Sequence, residues 1–200
     1  MQDILYDAAI IYEKLKDIVY KIVVGRKGKS YSIMLHFPPE SFFHLAGLQH
    51  LTDITFPSKN KERIFKEILN KKLTIEDISK SVFWDKWLIQ ERLQNFAHIE
   101  EMLDSNLITF LINVRRYITY TSIKADYLCQ NRIHSDTLYL FLVIERYCPK
   151  FENECKACSF FTKRNIDYTV GTSKTTTLLI EKIENGHSKV LFRNPVYIEQ

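Results

Sequence analysis

The hydrophobic period of the chain changes once, near Ser105, and this change constrains the fold more than any other feature. Before it, apolar residues recur at three- and four-residue steps, the spacing of amphipathic helices. After it, runs rich in β-branched and aromatic residues follow one another, which is typical of strands. Helices that precede a series of strands predict an α+β protein with an antiparallel sheet.

The first 104 residues predict helices interrupted by one β-hairpin. Residues 4–16 have an amphipathic helical pattern, and two β-rich runs within 19–37 flank a polar loop that contains glycine. Pro38-Pro39 ends the second run and begins a helix over 41–51, because proline tolerates the first helical turn. Ser58 is the expected cap of a helix that ends near residue 72.

Two further helices are expected before residue 105. The run Thr74-Ile-Glu-Asp77 is a weak capping box that opens a short helix. Ser81 or Asp85 begins a longer one, whose apolar stripe (Ile89, Leu93, Phe96 and Leu103) is assigned to the core.

The second half predicts an antiparallel sheet of about four to five strands. The candidate strands are 107–114, 117–123, 125–129, 137–146, 159–162, 175–184 and 189–192. Asn185-Gly186 between the last two is the clearest hairpin turn. The order is thus an N-terminal helix, a hairpin and helices, followed by the sheet, all within a single domain over residues 1–200.

Composition excludes several classes. A chain of 200 residues with 46% apolar and 26% charged residues is an ordinary globular protein. Its apolar runs are too short to span a membrane, and its start lacks a secretory pattern, so no membrane association and a cytoplasmic location are expected. A net charge of +4 permits nucleic-acid binding without requiring it. Missing P-loop and G-x-S-x-G motifs disfavour nucleotide-driven transferases and common hydrolases.

Four cysteines are present, and Cys148, Cys155 and Cys158 have C-x6-C-x2-C spacing. This is a weak zinc signal because no second C-x2-C pair exists, and residues three apart on a strand point to opposite faces. With no secretory pattern, free thiols in a reducing compartment are the simpler interpretation. No cofactor is expected.

Two groups of polar residues are candidates for a site. His44 and His50, six residues apart on one predicted helix, would point to different faces and would not share a metal ion. His44 is either a hydrogen-bonded residue at the core edge or a functional one. The second group mixes cations, tyrosines and hydroxyls, which suits phosphates and bases, but it equally fits a solvated sheet face. Its members are Lys124, Asp126, Tyr127, Lys163, Arg164, Tyr168, Thr169, Thr172, Ser173 and Lys174.

A family resemblance runs through much of the chain. The segment from Leu35 to Leu51, with its Phe43-His-Leu-Ala-Gly47 core, resembles the strand–helix signature of the fourth, phage- and mobile-element-associated group of the barnase–EndoU–colicin–RelE-like nuclease superfamily. Ser122-Ile-Lys-Ala-Asp-Tyr-Leu128, Ser159-Phe-Phe161, Asp167-Tyr-Thr169 and the aliphatic strand at 177–183 are similar too. The matching positions are His44, Gly47, Lys124, Asp126, Tyr127, Tyr168 and Thr169. The insertion from Cys148 to Cys158 departs from the pattern.

The resemblance implies metal-independent RNA cleavage on a sheet face, often by a toxin, with RNA as substrate and an antitoxin or immunity protein as partner. In such a transesterification a 2′-oxygen attacks its own 3′-phosphate, which requires a base, an acid and a cation. On this reading His44 is the base or the acid and Lys124 holds the phosphate. Tyr127, Tyr168 and Thr169 donate hydrogen bonds or stack a base. The partner of His44 is left open between His50 and Lys174.

Three other functions fit the same sequence. A non-catalytic module on this fold would bind RNA or a protein, and steep salt dependence without cleavage would identify it. A nucleotide-using transferase would hold a dinucleotide near Tyr127 and Tyr168. A zinc-stabilised module would use Cys129 together with the three later cysteines.

Overall fold

The computed structural model describes residues 3–105, 107–112, 121–145 and 153–198. The helices are α1 (Ile4–Leu15), α2 (Ser41–Leu45), α3 (Lys61–Leu69), α4 (Ile75–Ile78), α5 (Ile89–Asn95) and α6 (Ile99–Asp104). The strands are β1 (Ile18–Arg26), β2 (Lys29–His36), β3 (Ile108–Leu111), β4 (Tyr127–Ile133), β5 (Asp136–Ile144), β6 (Glu154–Thr162), β7 (Ser173–Lys174), β8 (Thr176–Glu184) and β9 (His187–Arg193).

Local sequence signals account for most of these boundaries. Asp3 caps α1 by accepting hydrogen bonds from the backbone of Leu5 and Tyr6. Thr74 and Asp77 form the expected capping box of α4. Asn185-Gly186 forms the turn between β8 and β9, and both residues have positive φ, as the hairpin signal predicted. The helix expected from Ser58 begins instead after Asn60, whose side chain accepts from the backbone of Arg63.

All nine strands of the described residues belong to one sheet, in the order β7-β3-β4-β5-β6-β2-β1-β8-β9. The α+β class is confirmed, but the expected four to five strands are too few. The hairpin β1–β2 is not a separate unit, because it occupies the middle of the sheet. The sheet is also not wholly antiparallel, since β2 and β6 pair in parallel over Met34–His36 and Glu154–Lys156.

One predicted strand is not tested in full. Most of the run 117–123 lies outside the described residues, and its described end, 121–123, is not a strand. The other expected strands of the second half are present with shifted ends.

The sheet curls because β7 and β8, which are almost continuous in the chain, pair with strands near its two opposite ends. Strand β7 pairs with β3, and β8, which follows it after Thr175 alone, pairs with β1. Thr175 itself donates from its backbone and its hydroxyl to the carbonyl oxygen of Thr109 in β3, at 3.0 and 2.7 Å. The two ends of the strand order are therefore drawn together.

Each face of the sheet carries its own apolar cluster. The helices pack on one face, and alternate residues of β5 (Leu138, Leu140 and Leu142) reach that large core. The intervening Tyr139 and Phe141 face a smaller cluster on the other side. This alternation is the two-residue period of a strand buried on both faces. The predicted helical stripe 89–103 is part of the large core, as expected. None of the described helices reaches the length and hydropathy that a membrane-spanning helix needs.

The architecture leaves part of strand β6 without a strand neighbour on one side. Its partner β2 ends at His36, just before Pro38-Pro39, and the parallel pairing stops at Lys156. Tyr12 of α1 donates to the Pro38 carbonyl at 2.9 Å, which fixes where the chain turns away. Beyond this point, helical segments rather than a strand lie beside β6, and a cleft forms there.

Candidate active-site cleft

An open cleft of about 630 Å³ lies between the helical segments and the free part of β6. One wall comes from the segments around α2 and α5, and the other from β6, the loop after it and residues 121–124. The charged, aromatic and imidazole side chains that line it are His44, His50, Trp87, Glu91, Arg92, Lys124, Phe161, Arg164 and Tyr168.

The histidines reach the cleft together because the helix expected over 41–51 is broken. Helix α2 ends at Leu45, Gly47 takes the left-handed conformation at φ +77°, and a 3₁₀ turn covers Leu48–His50. The expectation that His44 and His50 lie on one helix and point to different faces is therefore wrong. Both line the same cleft.

His44 is half-buried and has a lysine against it. Lys61 Nζ, from the first residue of α3, lies 2.5 Å from His44 Nε2. Burial, then the charges of Lys61 and Lys156, lower the pKa of His44 below its ordinary value. The imidazole is therefore neutral at neutral pH, and it accepts a hydrogen bond from the lysine ammonium.

His50 is stacked on Trp87, with ring centroids 3.9 Å apart and planes within 10°. Burial, then the charges of Arg92 and His44, lower the pKa of His50 to about 4. Trp87 itself keeps 37% of its surface exposed. A flat, partly exposed aromatic pair that lines a cleft has the chemistry to stack on a planar ligand.

Arg92 of α5 supplies a fixed cation. Its Nε donates to the Trp87 carbonyl at 3.1 Å, and one terminal nitrogen donates to the Phe160 carbonyl at 3.2 Å. The guanidinium lies over the Phe161 ring, 5.0 Å from its centroid. Burial lowers the pKa of Arg92 to about 10, which still leaves it charged at neutral pH. In the described part of the chain no carboxylate forms an ion pair with it, so its charge is available to an anion.

The opposite wall combines Lys124 with an aromatic cluster. Lys124 is exposed and has no ion pair among the described residues. Tyr168 packs edge-on against Tyr139, Phe141 and Phe161. Burial raises the pKa of Tyr168, so its hydroxyl remains protonated and able to donate.

A β-bulge shapes this wall. Phe141 pairs with Ser159 while Leu142 pairs with Ala157, so Cys158 is the extra residue of β6. Its thiol lines the cleft and lies 3.9 Å from the Lys124 carbonyl oxygen. The bulge thereby holds the backbone of residue 124 against β6.

The structure brings five of the candidate residues for RNA cleavage to the cleft: His44, His50, Lys124, Arg164 and Tyr168. Arg164 forms an ion pair with Glu91 on the facing wall. Its charge is therefore already balanced, unlike that of Arg92.

The other predicted residues lie elsewhere. Tyr127 is 4% exposed in the large core, where burial raises its pKa to about 12. Asp126, which matched the family pattern, accepts from the Ile144 backbone at 2.8 Å. Neither lines the cleft. The hydroxyl of Thr169 and the ammonium of Lys163 both donate to Asp167, which holds the pKa of that carboxyl well below its usual range.

The remaining polar residues build the loop and its strand. Thr172 donates its hydroxyl to the Thr169 carbonyl at 2.6 Å. Ser173 and Lys174 form β7 and pair with β3, so Lys174 does not accompany His44. Hydroxyls that the sequence offered for substrate contacts thus serve the local turn instead.

Sequence reasoning missed Lys61, Trp87 and Arg92. The three residues belong to different segments of the chain, and no spacing pattern in the sequence links them to His44. One signal was available, since Gly47 sits in the quoted signature and its left-handed conformation costs least for glycine. A Cβ added there would lie 2.9 Å from Arg92 Cδ. The glycine is thus what allows Arg92 to pass beneath the histidine turn.

The cysteines do not assemble in the described residues. Cys129, Cys155 and Cys158 are free thiols, and Cys148 lies outside the described residues. Cys155 faces the large core and Cys158 the smaller cluster, so the two lie on opposite faces of the sheet, as their spacing predicted. Burial raises the pKa of all three thiols to about 12, which disfavours the thiolate that zinc requires.

Comparison with known proteins identifies a family. The model of the family described as phage-Barnase-EndoU-ColicinE5/D-RelE like nuclease4 matches residues 4–194. No curated protein and no solved structure matches the chain. The matched span includes the histidine turn, every strand of the sheet and all lining residues of the cleft. The chain therefore belongs to the phage-Barnase-EndoU-ColicinE5/D-RelE like nuclease4 family, the group its sequence motifs resemble.

Proposed function

We propose that the protein is an endoribonuclease that cleaves RNA in this cleft by 2′-hydroxyl transesterification, using side chains rather than a metal ion. One observation carries the proposal: a neutral His44 faces the same open cleft as Arg92, Lys124 and Tyr168. Family membership supports a nucleic acid as substrate.

The proton acceptor is His44. A general base must be unprotonated at the working pH, and the lowered pKa of His44 provides this. Lys61 occupies Nε2 in the free protein. An incoming phosphate attracts the Lys61 ammonium, which frees the Nε2 lone pair to take the proton of the 2′-hydroxyl. His50, neutral and in the same cleft, is the alternative base.

The cations Arg92 and Lys124 face the negative charge that develops on the phosphate oxygens during the reaction. Arg92 is held by two carbonyls and so loses little freedom when a phosphate binds. Burial raises the pKa of Tyr168, so it keeps its proton, and in this proposal it donates to the phosphate or to the departing 5′-oxygen. The Trp87–His50 stack receives the neighbouring base, since single-stranded RNA is recognised largely by stacking.

The test is cleavage of a short fluorescent RNA in EDTA, beside the same oligonucleotide with one 2′-deoxy residue at the cleaved position. We expect a 2′,3′-cyclic phosphate product from the RNA and no cleavage of the deoxy substrate. His44→Ala and Lys124→Ala should each lower kcat/KM at least about tenfold. Lys189 on β9 is also exposed, and Lys189→Ala should match the wild type.

The outcomes separate the rival functions. Cleavage of the deoxy substrate, or cleavage abolished by EDTA at a temperature where the fold persists, would contradict the mechanism. Salt-dependent RNA binding without product would identify a non-catalytic binder. Thermal stabilisation by a dinucleotide instead of RNA would favour a transferase, although Tyr127 and Tyr168 do not share this cleft.

A toxin role for this single domain, countered by an antitoxin or immunity protein, is part of the same proposal and rests on the family alone. Expression in a bacterial cytoplasm should arrest growth for the wild type and not for His44→Ala at equal protein level. Growth arrest by both would show that cleavage is not the cause.

A further inference from the structure

A second cluster of ligating side chains lies outside the cleft, at the turn between β4 and β5. The ligand atoms of His98, Glu101 and His134 all lie within 4.8 Å of one another. His98 Nδ1 is 3.2 Å from Glu101 Oε2, and the rings of His98 and His134 meet edge-on at 5.6 Å. We infer that these three residues bind one zinc ion.

The ligand set suits zinc better than the common oxygen-seeking ions. Two imidazoles and one carboxylate form a recognised three-ligand zinc set, with water in the fourth position. Magnesium and calcium prefer all-oxygen ligands. The three side chains are half-buried or exposed, so an ion can reach them from solvent.

The spacing is close to that of a tetrahedral site. With bonds of about 2.0–2.1 Å, tetrahedral ligand atoms lie about 3.3 Å apart. His98 and Glu101, at the start of α6 and three residues apart, already have this separation and share one face of the helix. A movement of about 1.5 Å by the His134 side chain, within rotamer freedom, completes the triangle.

Rigid elements hold the two parts of the site. Asn131 of β4 donates from Nδ2 to the Met102 and Ser105 carbonyls, at 2.9 and 2.7 Å, which ties β4 to the end of α6. His134 itself takes a left-handed conformation at φ +52°, in a turn where glycine or asparagine would cost less. A histidine at that position projects its ring towards α6, as the ring contact with His98 shows.

The ion would clamp the β4–β5 turn to the helical segment that also carries Arg92. None of the three ligands lines the cleft, so the ion would take no direct part in the proposed cleavage. This inference is independent of the proposed ribonuclease activity.

The test uses full-length protein stripped with EDTA and titrated with ZnCl₂ by calorimetry. We expect one zinc per chain with a micromolar or tighter Kd, and at a hundredfold excess over Kd a Tm rise of about 5–10 °C. His134→Ala and Glu101→Gln should weaken binding at least tenfold. His187→Ala, an exposed histidine in the β8–β9 hairpin, should bind as the wild type does. Cobalt substitution should give the visible spectrum of a tetrahedral site in the wild type and in His187→Ala, and not in His134→Ala or Glu101→Gln.

Two results would overturn the inference. One is no zinc uptake by the wild type at about 100 µM. The other is undiminished uptake by His134→Ala, which would place the ion at the cleft histidines or the thiols. RNA cleavage by zinc-free His134→Ala, measured well below its Tm, tests the ribonuclease proposal separately, since that variant retains every cleft residue.

Discussion

Replacing Gly47 by alanine should damage both stability and cleavage, because this residue supports the histidine turn and the arginine beneath it. Alanine at φ +77° costs about 1–2 kcal/mol from its left-handed backbone. Its Cβ would also lie 2.9 Å from Arg92 Cδ and 3.0 Å from Ile89 Cδ1. The arginine side chain must move, which weakens its bonds to the Trp87 and Phe160 carbonyls at a further cost of about 1–2 kcal/mol.

Gly186 provides a matched control. It also has φ +77°, but nothing lies within 4 Å of its added Cβ. Gly186→Ala should therefore cost only the backbone strain, about 1–2 kcal/mol. Gly47→Ala should cost about twice as much, and for a chain of this length each kcal/mol lowers Tm by about 2–4 °C.

Urea and thermal unfolding measure the difference in stability, and kcat/KM on the fluorescent RNA, taken well below both Tm values, measures the displacement of Arg92. We expect at least a tenfold loss for Gly47→Ala and none for Gly186→Ala. Equal unfolding free energies for the two variants, or full activity in folded Gly47→Ala, would refute the role assigned to this glycine.

Three further substitutions test the proposed chemistry. Lys61→Met removes a charge that lowers the pKa of His44, so this pKa rises and the acid limb of the kcat/KM profile moves to higher pH. The exposed Lys66→Met should leave the limb in place, and NMR titration of the imidazole checks the assignment without activity. Trp87→Ala should raise KM about 5–150-fold with little change in kcat, because stacking of one base contributes about 1–3 kcal/mol. Tyr168→Phe keeps the ring packing and should lower kcat about tenfold at unchanged KM if the hydroxyl donates in the transition state. An altered KM alone would assign the hydroxyl to binding of the substrate.

Short-range signals in the sequence predicted the local elements well. The cap at Thr74, the turn at Asn185-Gly186 and the strand terminator at Pro38-Pro39 act through bonds to residues a few positions away. The stripe from Ile89 to Leu103 identified the face of the helical segment that packs on the sheet. These features depend on propensity and period, both of which are properties of the local sequence.

Neither the number of strands nor the position of the β1–β2 hairpin in the sheet could be predicted from these local signals. That β2 pairs with β6, more than a hundred residues later, depends on which edges the collapsed chain leaves open. The same applies to the single stretch that contains β7 and β8 and pairs with β3 and β1 in turn. The alternation of apolar and polar residues shows which face of a strand is buried, but it does not show which distant strand pairs with it.

For the candidate site, too, some features were determined by the sequence and others only by the tertiary structure. The sequence by itself determined the residue types that chemistry needs, a histidine in a glycine-broken turn and a lysine before a strand, and the motifs that identify the family. Tertiary structure decided which of them meet. In the folded protein Tyr127 lies in the core, and the Thr169 hydroxyl donates to Asp167. It also brought Arg92, from a helix with no motif of its own, into the cleft beside His44. Burial and neighbouring charge, which set the protonation of His44, exist only once distant segments have packed together.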